Sequence, residues 1–283
     1  MEKISVVIPA FNEADSINSV IERIRVILGN EEQTEIIVVN DGSTDATGEV
    51  LKNTTARVIT NPRNMGYGFS LKRGISTASY ECIVITDADG TYPIEEIPGL
   101  IKEYEKGFDM VVGARQGKHY WTSIWKSLAR VCFKLLSEFV VGRKIPDINS
   151  GLRVIRKSKI VPVFPDLSNT FSFTTSTTLL FFLKFYFVTY RPISYNKRSG
   201  RSKVRHLKDT LRALQIMVEI IVNYNPIKLF ILFAMIPFIL TILFLLIGIA
   251  LNHRMFVLLA LPSFFFTLLL MSFGFIATIF RKR

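Results

Sequence analysis

The chain contains two carboxylates placed one residue apart at the end of an apolar segment. Asp87 and Asp89 follow Ile83–Ile85, whose continuous apolar character predicts a buried strand. Residues i and i+2 of a strand project to the same side, so the two carboxylates can converge on one point. Mg²⁺ and Mn²⁺ bind through one or two carboxylates plus substrate phosphates. The pair therefore predicts a divalent metal site, although carboxylates at strand ends also cap following helices.

Apolar segments and helical patterns alternate through the first half of the chain. The predicted strands are Ile4–Ile8, Glu35–Val39, Ala56–Ile59, Cys82–Thr86 and Met110–Val112. The predicted helices between them are Ala14–Leu28, Asp45–Asn53, Gly68–Ala78 and Ile94–Lys106. Continuous apolar strands separated by helices indicate an α/β fold with a mostly parallel sheet that is covered on both faces.

Three polar strings follow the first, second and fourth predicted strands, at residues 9–13, 40–43 and 87–91. Ligands of open α/β sheets bind outside the carboxyl ends of the strands, so these strings together predict a binding site. Each string alone also has an ordinary explanation. The string that begins at Asn40 is typical of a turn followed by a helix N-cap, and Glu13 favours a helix N-terminus.

The net charge of +12 is unevenly distributed along the chain. Residues 1–112 contain 10 Lys/Arg and 18 Asp/Glu, a balance of −8, whereas residues 113–212 contain 20 and 4, a balance of +16. Because this basic block leads into a strongly apolar region, anionic lipid headgroups or a lipid phosphate suit it better than nucleic acid does. The 2 cysteines and 3 dispersed histidines indicate neither a disulfide framework nor a zinc site.

Two apolar runs, Ile227–Leu251 and Met255–Phe280, are each long enough to cross a bilayer. Their short connection predicts a transmembrane hairpin over residues 226–283. Basic and apolar residues alternate at helical spacing before it and predict an interfacial amphipathic helix over residues 203–225, or a helix packed on the N-terminal domain. Near the hairpin, most Lys and Arg residues lie at its two outer ends rather than in the connecting turn. The positive-inside rule therefore predicts that the N-terminal domain and both termini lie in the cytoplasm. The expected location is the cell membrane, or an endoplasmic-reticulum-type membrane, as a multi-pass protein.

An ordered set of motifs resembles glycosyltransferase family 2. The set comprises Val6–Glu13, the Asn-Asp-Gly-Ser-Thr-Asp string from Asn40, the Asn64/Gly66/Gly68 loop and Asp87-Ala88-Asp89. Three further motifs narrow the resemblance to the polyisoprenyl-phosphate glycosyltransferases, which include dolichol-phosphate mannose synthase; they are Val112–Arg115, Asp147–Arg153 and Gly200–Lys203. The resemblance covers roughly residues 4–205. It implies a Rossmann-like, A-type glycosyltransferase domain in the cytoplasm over residues 1–202.

The resemblance also implies a reaction and a set of site residues. A hexose would pass from a nucleotide sugar, of the GDP-mannose or UDP-glucose type, to a polyprenyl or dolichyl phosphate with inversion at the anomeric carbon. Asp87 and Asp89 would hold a Mg²⁺ or Mn²⁺ ion. The implied donor-binding residues are Pro9, Phe11, Glu13, Asp41, Asp87, Ala88, Asp89, Arg115, Arg198 and Lys203. The implied ligands of the acceptor phosphate are Arg115, Arg130 and Lys203.

Asp147 joins Asp89 and Arg115 among the implied catalytic residues, but its role is open. A phosphate monoester has a second pKa of about 6 and is largely dianionic at neutral pH, so it needs positioning more than deprotonation. Asp147 is therefore a base, a partner that orients an arginine, or a structural turn residue. Arg130 either grips the lipid phosphate or belongs to the solvated face of an amphipathic stretch over Tyr120–Val141.

Several positions depart from the family pattern. Gly90 and Thr91 stand where many members have Leu-Gln, and an acidic residue often found near Thr174–Thr178 is absent. The family's arginine before Gly-x-Ser-Lys is either Lys197 or Arg198. These departures leave the sugar and the nucleotide open. The apolar run Leu179–Val188 is too short to span a membrane and is interpreted as an interfacial or core segment.

Two other functions fit part of the sequence. A polysaccharide-type family 2 enzyme with another acceptor would share the nucleotide site, but it normally carries a Gln-x-x-Arg-Trp motif, which the sequence lacks. A basic, membrane-tethered binding protein would account for the charge but not for the acidic turns. The sequence leaves the oligomeric state open, a homo-oligomer included.

Overall fold

A computed structural model of the protein describes residues 2–29, 32–116, 134–194 and 206–280, with the backbone alone for residues 206–213. The chain divides into two compact units, Met1–Ile216 and Met217–Arg283. The first unit contains an α/β sheet, and the second consists mainly of two long apolar helices.

Seven strands form a single mixed sheet in the described part of the first unit. They are β1 (Ile4–Ala10), β2 (Thr34–Asn40), β3 (Arg57–Thr60), β4 (Cys82–Ile85), β5 (Met110–Gln116), β6 (Arg153–Arg156) and β7 (Val188–Ser194). Their order across the sheet is β3-β2-β1-β4-β6-β5-β7. The pairs β1–β2, β1–β4, β2–β3 and β5–β7 are parallel. The prediction of a mostly parallel sheet is therefore confirmed, with β6 as the antiparallel exception between β4 and β5.

Helices connect and cover the strands. They are α1 (Ile17–Leu28), α2 (Thr47–Lys52), α3 (Tyr67–Thr77), α4 (Ile97–Tyr104), the described part of α5 (134–141), α6 (Lys157–Ile160), α7 (Phe173–Leu183), α8 (His206–Tyr224), α9 (Pro226–Ala250) and α10 (Arg254–Phe280). The helix predicted over Ile94–Lys106 is instead a 3₁₀ turn, Ile94–Glu96, followed by α4. Pro98 explains this boundary, because proline lacks an N–H and is favoured in the first turn of a helix.

The two faces of the sheet bury alternate strand residues. Val6, Ile8 and Val84 belong to a core cluster that also contains the buried residues of α1 and α4. Val7 and Val39 point to the opposite face, where Gly74 of α3 lies against both of them. The absence of a Cβ at Gly74 lets α3 approach the sheet closely. Both faces are thus covered by helices, as the apolar strands predict.

Helix α7 is an almost entirely buried element that the sequence did not reveal. Every residue from Phe173 to Phe182 is buried, including five consecutive Ser/Thr residues. Their hydroxyls find partners inside the first unit: Thr177 donates to the Phe173 carbonyl at 2.8 Å and Thr178 to the Thr174 carbonyl at 2.9 Å. Within the run Leu179–Val188, the core interpretation holds for Leu179–Phe182, which lie in α7, whereas Phe185 and Phe187 are exposed before β7 begins at Val188.

The carboxyl ends of β1, β2, β4 and β5 meet at one edge of the sheet. Because β6 runs antiparallel to β4 and β5, its beginning lies at this same edge. The loop that precedes β6 (147–152) therefore joins the loops that follow the other four strands. This geometry determines which residues can share a site.

The second unit contains the predicted apolar hairpin. Helices α9 and α10 have 25 and 27 residues and are long and apolar enough to span a membrane. Small residues allow the helices to pack closely: an added Cβ at Gly248 would lie 2.7 Å from Val257, and one at Gly274 would lie 2.8 Å from Phe230. Ser263 also donates a hydrogen bond of 2.7 Å to the Pro237 carbonyl across the hairpin.

Candidate active site

A cavity of about 510 Å³ opens at the carboxyl edge of the sheet. Eight of the residues expected to bind the donor line it: Pro9, Phe11, Glu13, Asp41, Asp87, Ala88, Asp89 and Arg115. The remaining expected ligands, Arg130, Arg198 and Lys203, lie outside the described residues. The structure thus brings together residues from four loops that are far apart in the sequence.

The loops that follow β1 and β2 are joined by side-chain hydrogen bonds. The Asn12 amide donates to the Ser43 hydroxyl at 3.0 Å, and the Thr44 amide donates to the Asn12 side chain at 2.8 Å. The Glu13 amide donates to the Thr47 hydroxyl at 2.8 Å. Asn12 has a left-handed backbone with φ of 54°, a conformation that asparagine tolerates better than most residues. The Asn-Asp-Gly-Ser-Thr-Asp string therefore fixes the loop that carries Phe11 and Glu13.

Asp41 is buried and holds the glycine-containing loop before α3. Its carboxylate accepts hydrogen bonds from the Asn61 side chain at 2.7 Å and from the Met65 and Gly66 amides at 2.9 Å each. Gly42, with φ of 66°, allows the close approach, because an added Cβ would lie 2.5 Å from the Arg63 backbone. Asp41 thus shapes the cavity wall, and its contact with the nucleotide stays a prediction.

Asp87 and Asp89 are oriented by neighbours of different kinds. The Tyr67 hydroxyl donates to Asp87 Oδ1 at 2.8 Å. Burial and the adjacent Asp87 carboxylate raise the pKa of Tyr67 well above its usual value, so the hydroxyl keeps its proton and remains a donor. Asp89 Oδ1 accepts hydrogen bonds from the Thr91 hydroxyl at 2.6 Å and from the Thr91 amide at 3.1 Å. Thr91, which departs from the family pattern, therefore helps to orient the Asp89 carboxylate.

The carboxylate pair fits a divalent cation that shares its ligands with a substrate. The described residues contain no group of three or more His, Cys, Asp or Glu side chains placed to hold a metal ion by themselves. Asp87 and Asp89 nevertheless line the same cavity and offer the oxygen ligands that Mg²⁺ and Mn²⁺ prefer. Such ions keep several waters and take phosphate oxygens as further ligands. The donor set therefore fits a metal ion bound together with a diphosphate.

Arg115 is held at the cavity wall by a bidentate ion pair with Asp147. Its Nε lies 2.7 Å from Asp147 Oδ2, and its second guanidinium nitrogen lies 2.9 Å from Oδ1. The two side chains are 14% and 3% exposed. Burial alone raises the pKa of Asp147, but the hydrogen bonds and positive charge of Arg115 outweigh it and hold that pKa below its usual value. Asp147 therefore stays ionised at neutral pH and orients Arg115.

This geometry supports one of the three roles that the sequence left open for Asp147. Among the described residues, the lining of the cavity includes Arg115 but not Asp147. A carboxylate whose pKa is lowered is also a weaker base. Asp147 is therefore better described as a positioning residue than as a catalytic one, and Arg115 is the group that faces the cavity.

Sequence reasoning assigned no role to several residues that line the cavity. They are Tyr67, Tyr92, Asn149, Gly151, Phe171 and Thr174. The rings of Tyr67 and Phe171 stack with centroids 5.7 Å apart. The Tyr92 hydroxyl accepts a hydrogen bond of 2.6 Å from the Gly151 amide. The motifs quoted above contain Asn149 and Gly151, whereas the contributions of Phe171 and Thr174 depend on the unexpected position of α7.

Comparisons with known proteins agree with this arrangement. The model of glycosyl transferase family 2 matches residues 5–164. The chain is 30% identical over 206 residues to a dolichyl-phosphate hexose transferase of Haloferax volcanii, which covers 72% of this chain and 87% of that protein. It is also 30% identical over 189 residues to an undecaprenyl-phosphate 4-deoxy-4-formamido-L-arabinose transferase of Photorhabdus laumondii, covering 61% of this chain and 57% of that longer protein.

A solved structure shares the fold. Glucosyl-3-phosphoglycerate synthase from Mycobacterium tuberculosis, crystallised with UDP, superposes with a TM-score of 0.64 at 19% identity over 77% of this chain and 80% of that chain. The same enzyme has been crystallised with Mn²⁺, UDP and phosphoglyceric acid and superposes in that form with a TM-score of 0.62. The predicted A-type glycosyltransferase fold is thereby confirmed. From its sequence match and its fold, the chain belongs to glycosyltransferase family 2.

Proposed function

We propose that this protein is a membrane-bound, metal-dependent glycosyltransferase that moves a hexose from a nucleotide sugar to a polyprenyl phosphate. The observation that carries the proposal is that the eight expected donor residues line one cavity, with Arg115 fixed at its wall. The name of the Haloferax volcanii relative supports a dolichyl phosphate acceptor and a hexose donor. The two apolar helices support a location at the membrane, where such an acceptor is found.

The loops after β1 and β2 would hold the base and ribose of the nucleotide. Pro9, Phe11, Glu13 and Asp41 line the cavity on the side of these loops. Asp87 and Asp89 would face the diphosphate. A Mg²⁺ or Mn²⁺ ion bound there would supply counter-charge to the leaving diphosphate.

The chemical step needs little proton transfer. An oxygen of the acceptor phosphate attacks the anomeric carbon from the face opposite the diphosphate, and the bond between that carbon and the diphosphate oxygen breaks. The diphosphate leaves with the bonding electron pair, and the configuration inverts. Because the attacking phosphate is already ionised, the protein mainly positions it and stabilises the growing negative charge. The preset guanidinium of Arg115 is suited to this task, whether it faces the diphosphate or the lipid phosphate.

The basic block would serve the acceptor. Its balance of +16 over residues 113–212 lies between the nucleotide-binding half and the apolar hairpin. A lipid phosphate is reached at the membrane surface, where positive charge also favours binding. Arg130 and Lys203 are proposed to share this role with Arg115, and Arg198 or Lys197 to assist the donor.

A radiolabel transfer assay would test the function. Purified full-length protein in vesicles that contain polyprenyl phosphate is supplied with Mn²⁺ and a panel of labelled UDP- and GDP-sugars. The proposal predicts label in the organic phase as a lipid-linked sugar phosphate. A parallel arm offers 3-phosphoglycerate as a soluble acceptor. Label that accumulates only in the aqueous phase of that arm would contradict the lipid acceptor while leaving the family unchanged.

The proposed topology places the turn between α9 and α10 outside the cytoplasm. In a background with Cys82 and Cys132 replaced by Ala, a His253→Cys variant should react with an impermeant thiol reagent on intact cells. An Asp15→Cys variant, at an exposed position of the sheet domain, should react only after the membrane is permeabilised. The reverse pattern would place the catalytic domain outside, against the positive-inside prediction.

A substitution at Gly151 tests whether the reaction depends on the position of the Asp87 carboxylate. An added Cβ at this position would lie 2.9 Å from Asp87 Oδ1 and 3.0 Å from Oδ2, so the carboxylate must move. Gly151→Ala should lower kcat/KM about tenfold, because the carboxylate must shift by a few tenths of an ångström and a misplacement of 1 Å costs about a hundredfold. Gly48→Ala is the matched control, since its nearest neighbour would be 3.6 Å away. Equal rates for the two variants would show that Asp87 tolerates displacement.

A further inference from the structure

Arg153 is a completely buried arginine beneath the candidate active site. It is 0% exposed and is among the largest fully buried side chains of the described residues. Its Nε donates to the Ser150 carbonyl at 2.7 Å, and one terminal nitrogen donates to the Ile148 carbonyl at 2.8 Å. The other terminal nitrogen donates to the Thr178 hydroxyl of α7 at 2.8 Å. The guanidinium therefore joins one turn of the site to the buried helix behind it.

No ion pair within the described residues includes Arg153; its partners are carbonyls, a hydroxyl and the Met110 sulfur. Burial lowers the pKa of Arg153, whereas Tyr190 and Asp147 oppose that shift. Arginine nevertheless keeps its charge at neutral pH. Desolvating an ion is costly, and apolar residues of similar volume can often replace even a buried ion pair with no loss of stability. A purely structural requirement is therefore a weak explanation for an arginine at this position.

The turn that Arg153 holds carries several contacts of the cavity. Asp147, one residue before Ile148, makes the bidentate pair with Arg115. Asn149 and Gly151 line the cavity, and the Gly151 backbone lies against the Asp87 carboxylate. A change in the turn at residues 147–151 would thus alter the direction of Arg115 and the room available to Asp87.

We infer that Arg153 is a positioning residue: by binding the carbonyls of residues 148 and 150 it sets the turn that aims Arg115 at the phosphates of the substrate. The inference rests on the proposed function, because it takes the diphosphate of the nucleotide sugar as the anion that Arg115 meets. Arg153 touches neither substrate nor metal in this scheme. It acts through the backbone of the turn and through Asp147.

Binding measurements separate this role from a contribution to folding. The affinities of UDP and GDP, with Mn²⁺, and of uridine and guanosine are measured by calorimetry or competition on the full-length protein in detergent. Arg153→Met should weaken the nucleoside diphosphate that binds the wild type by about tenfold or more, since a factor of ten corresponds to ~1.4 kcal/mol. The matching nucleoside should change less than about twofold, because its contacts lie on the loops after β1 and β2, which Arg153 does not touch.

Two further variants complete the test. The double variant Arg115→Met/Arg153→Met should bind the diphosphate no more weakly than the worse single variant, because residues that act through one group are not additive. Arg156→Met is the matched control: Arg156 ends the same strand, pairs with Asp109 at 3.3 Å and lies away from the cavity edge. It should leave both affinities unchanged.

The inference is overturned if Arg153→Met weakens nucleoside and diphosphate equally, or if the two arginine effects multiply in the double variant. It is also overturned if Arg153→Met matches the wild type in diphosphate affinity. These outcomes do not depend on sugar transfer, so a failure of the proposed acceptor or sugar in the transfer assay is recognised separately.

Discussion

Replacing Asp89 with Asn should reduce sugar transfer at least about a thousandfold, or ~4 kcal/mol, because the divalent cation proposed to neutralise the leaving diphosphate would lose a charged ligand. The protein should remain folded and membrane-bound. The hydrogen bonds of Asp89 to Thr91 are local, and the Asn side-chain oxygen can accept both of them. The measurement is initial transfer rate at saturating donor, together with a Mn²⁺ titration and thermal unfolding of the same preparation.

The control for this prediction is Asp166→Asn. Asp166 is exposed at the end of a 3₁₀ helix and is not among the residues that line the cavity. This variant should transfer sugar at the wild-type rate. Excess chelator should stop the wild type, and added Mn²⁺ should restore it. Full activity of Asp89→Asn, or of the wild type in chelator, would remove the metal from the proposed function.

Replacing Arg115 with Lys should lower kcat/KM about a hundredfold while preserving the fold. Lysine keeps the positive charge near Asp147 but cannot make two parallel hydrogen bonds, so the cation is no longer held in a fixed direction. A charge-assisted hydrogen bond is worth about 1.5–3 kcal/mol, which is consistent with an effect of this size. Separate KM values for the nucleotide sugar and for the polyprenyl phosphate would show which phosphate Arg115 faces.

A surface pair provides the matched control for Arg115→Lys. Arg23 also binds a carboxylate through two nitrogens, with Glu95 at 2.7 Å, but its side chain is 35% exposed and it lies outside the cavity. Arg23→Lys should change neither transfer nor stability by much, because exposed pairs contribute about 0–1 kcal/mol. If Arg115→Lys were as active as Arg23→Lys, a fixed guanidinium would not be needed for the reaction.

The first half of the fold follows closely from local patterns. Strands β1 to β5 lie within a few residues of their predicted bounds, because each contains a short apolar run bounded by polar turns. The later elements lack this signal. Strand β6 has arginine at both ends, and α7 begins with a Ser/Thr-rich run that disfavours a helix. Tertiary burial of those hydroxyls, which no local pattern encodes, overrides the propensity.

The candidate site was predictable where a motif fixes a loop at a strand end. Asp87, Asp89 and Glu13 could be assigned to the site from their positions at strand ends alone, because the carboxyl ends of parallel strands share one edge of the sheet. The pairing of Arg115 with Asp147 could not be derived, because it requires β6 to run antiparallel and return its preceding loop to the same edge. Tyr67 lies within the Asn64/Gly66/Gly68 loop, yet its hydrogen bond to Asp87 depends on how α3 packs.

The position of β6 also affects the order in which the strands can pair during synthesis. In space β6 separates β4 from β5, but the ribosome makes it after both. From the end of β4 at Ile85 to the start of β6 at Arg153 the chain grows by 153 − 85 = 68 residues, which takes roughly 3–14 s at the usual rate of translation. A sheet of β1, β2 and β4 that forms in that interval has β4 as an open edge, which can pair with other nascent chains. Amides of β5 should accordingly gain protection from hydrogen exchange later than those of β1 and β2.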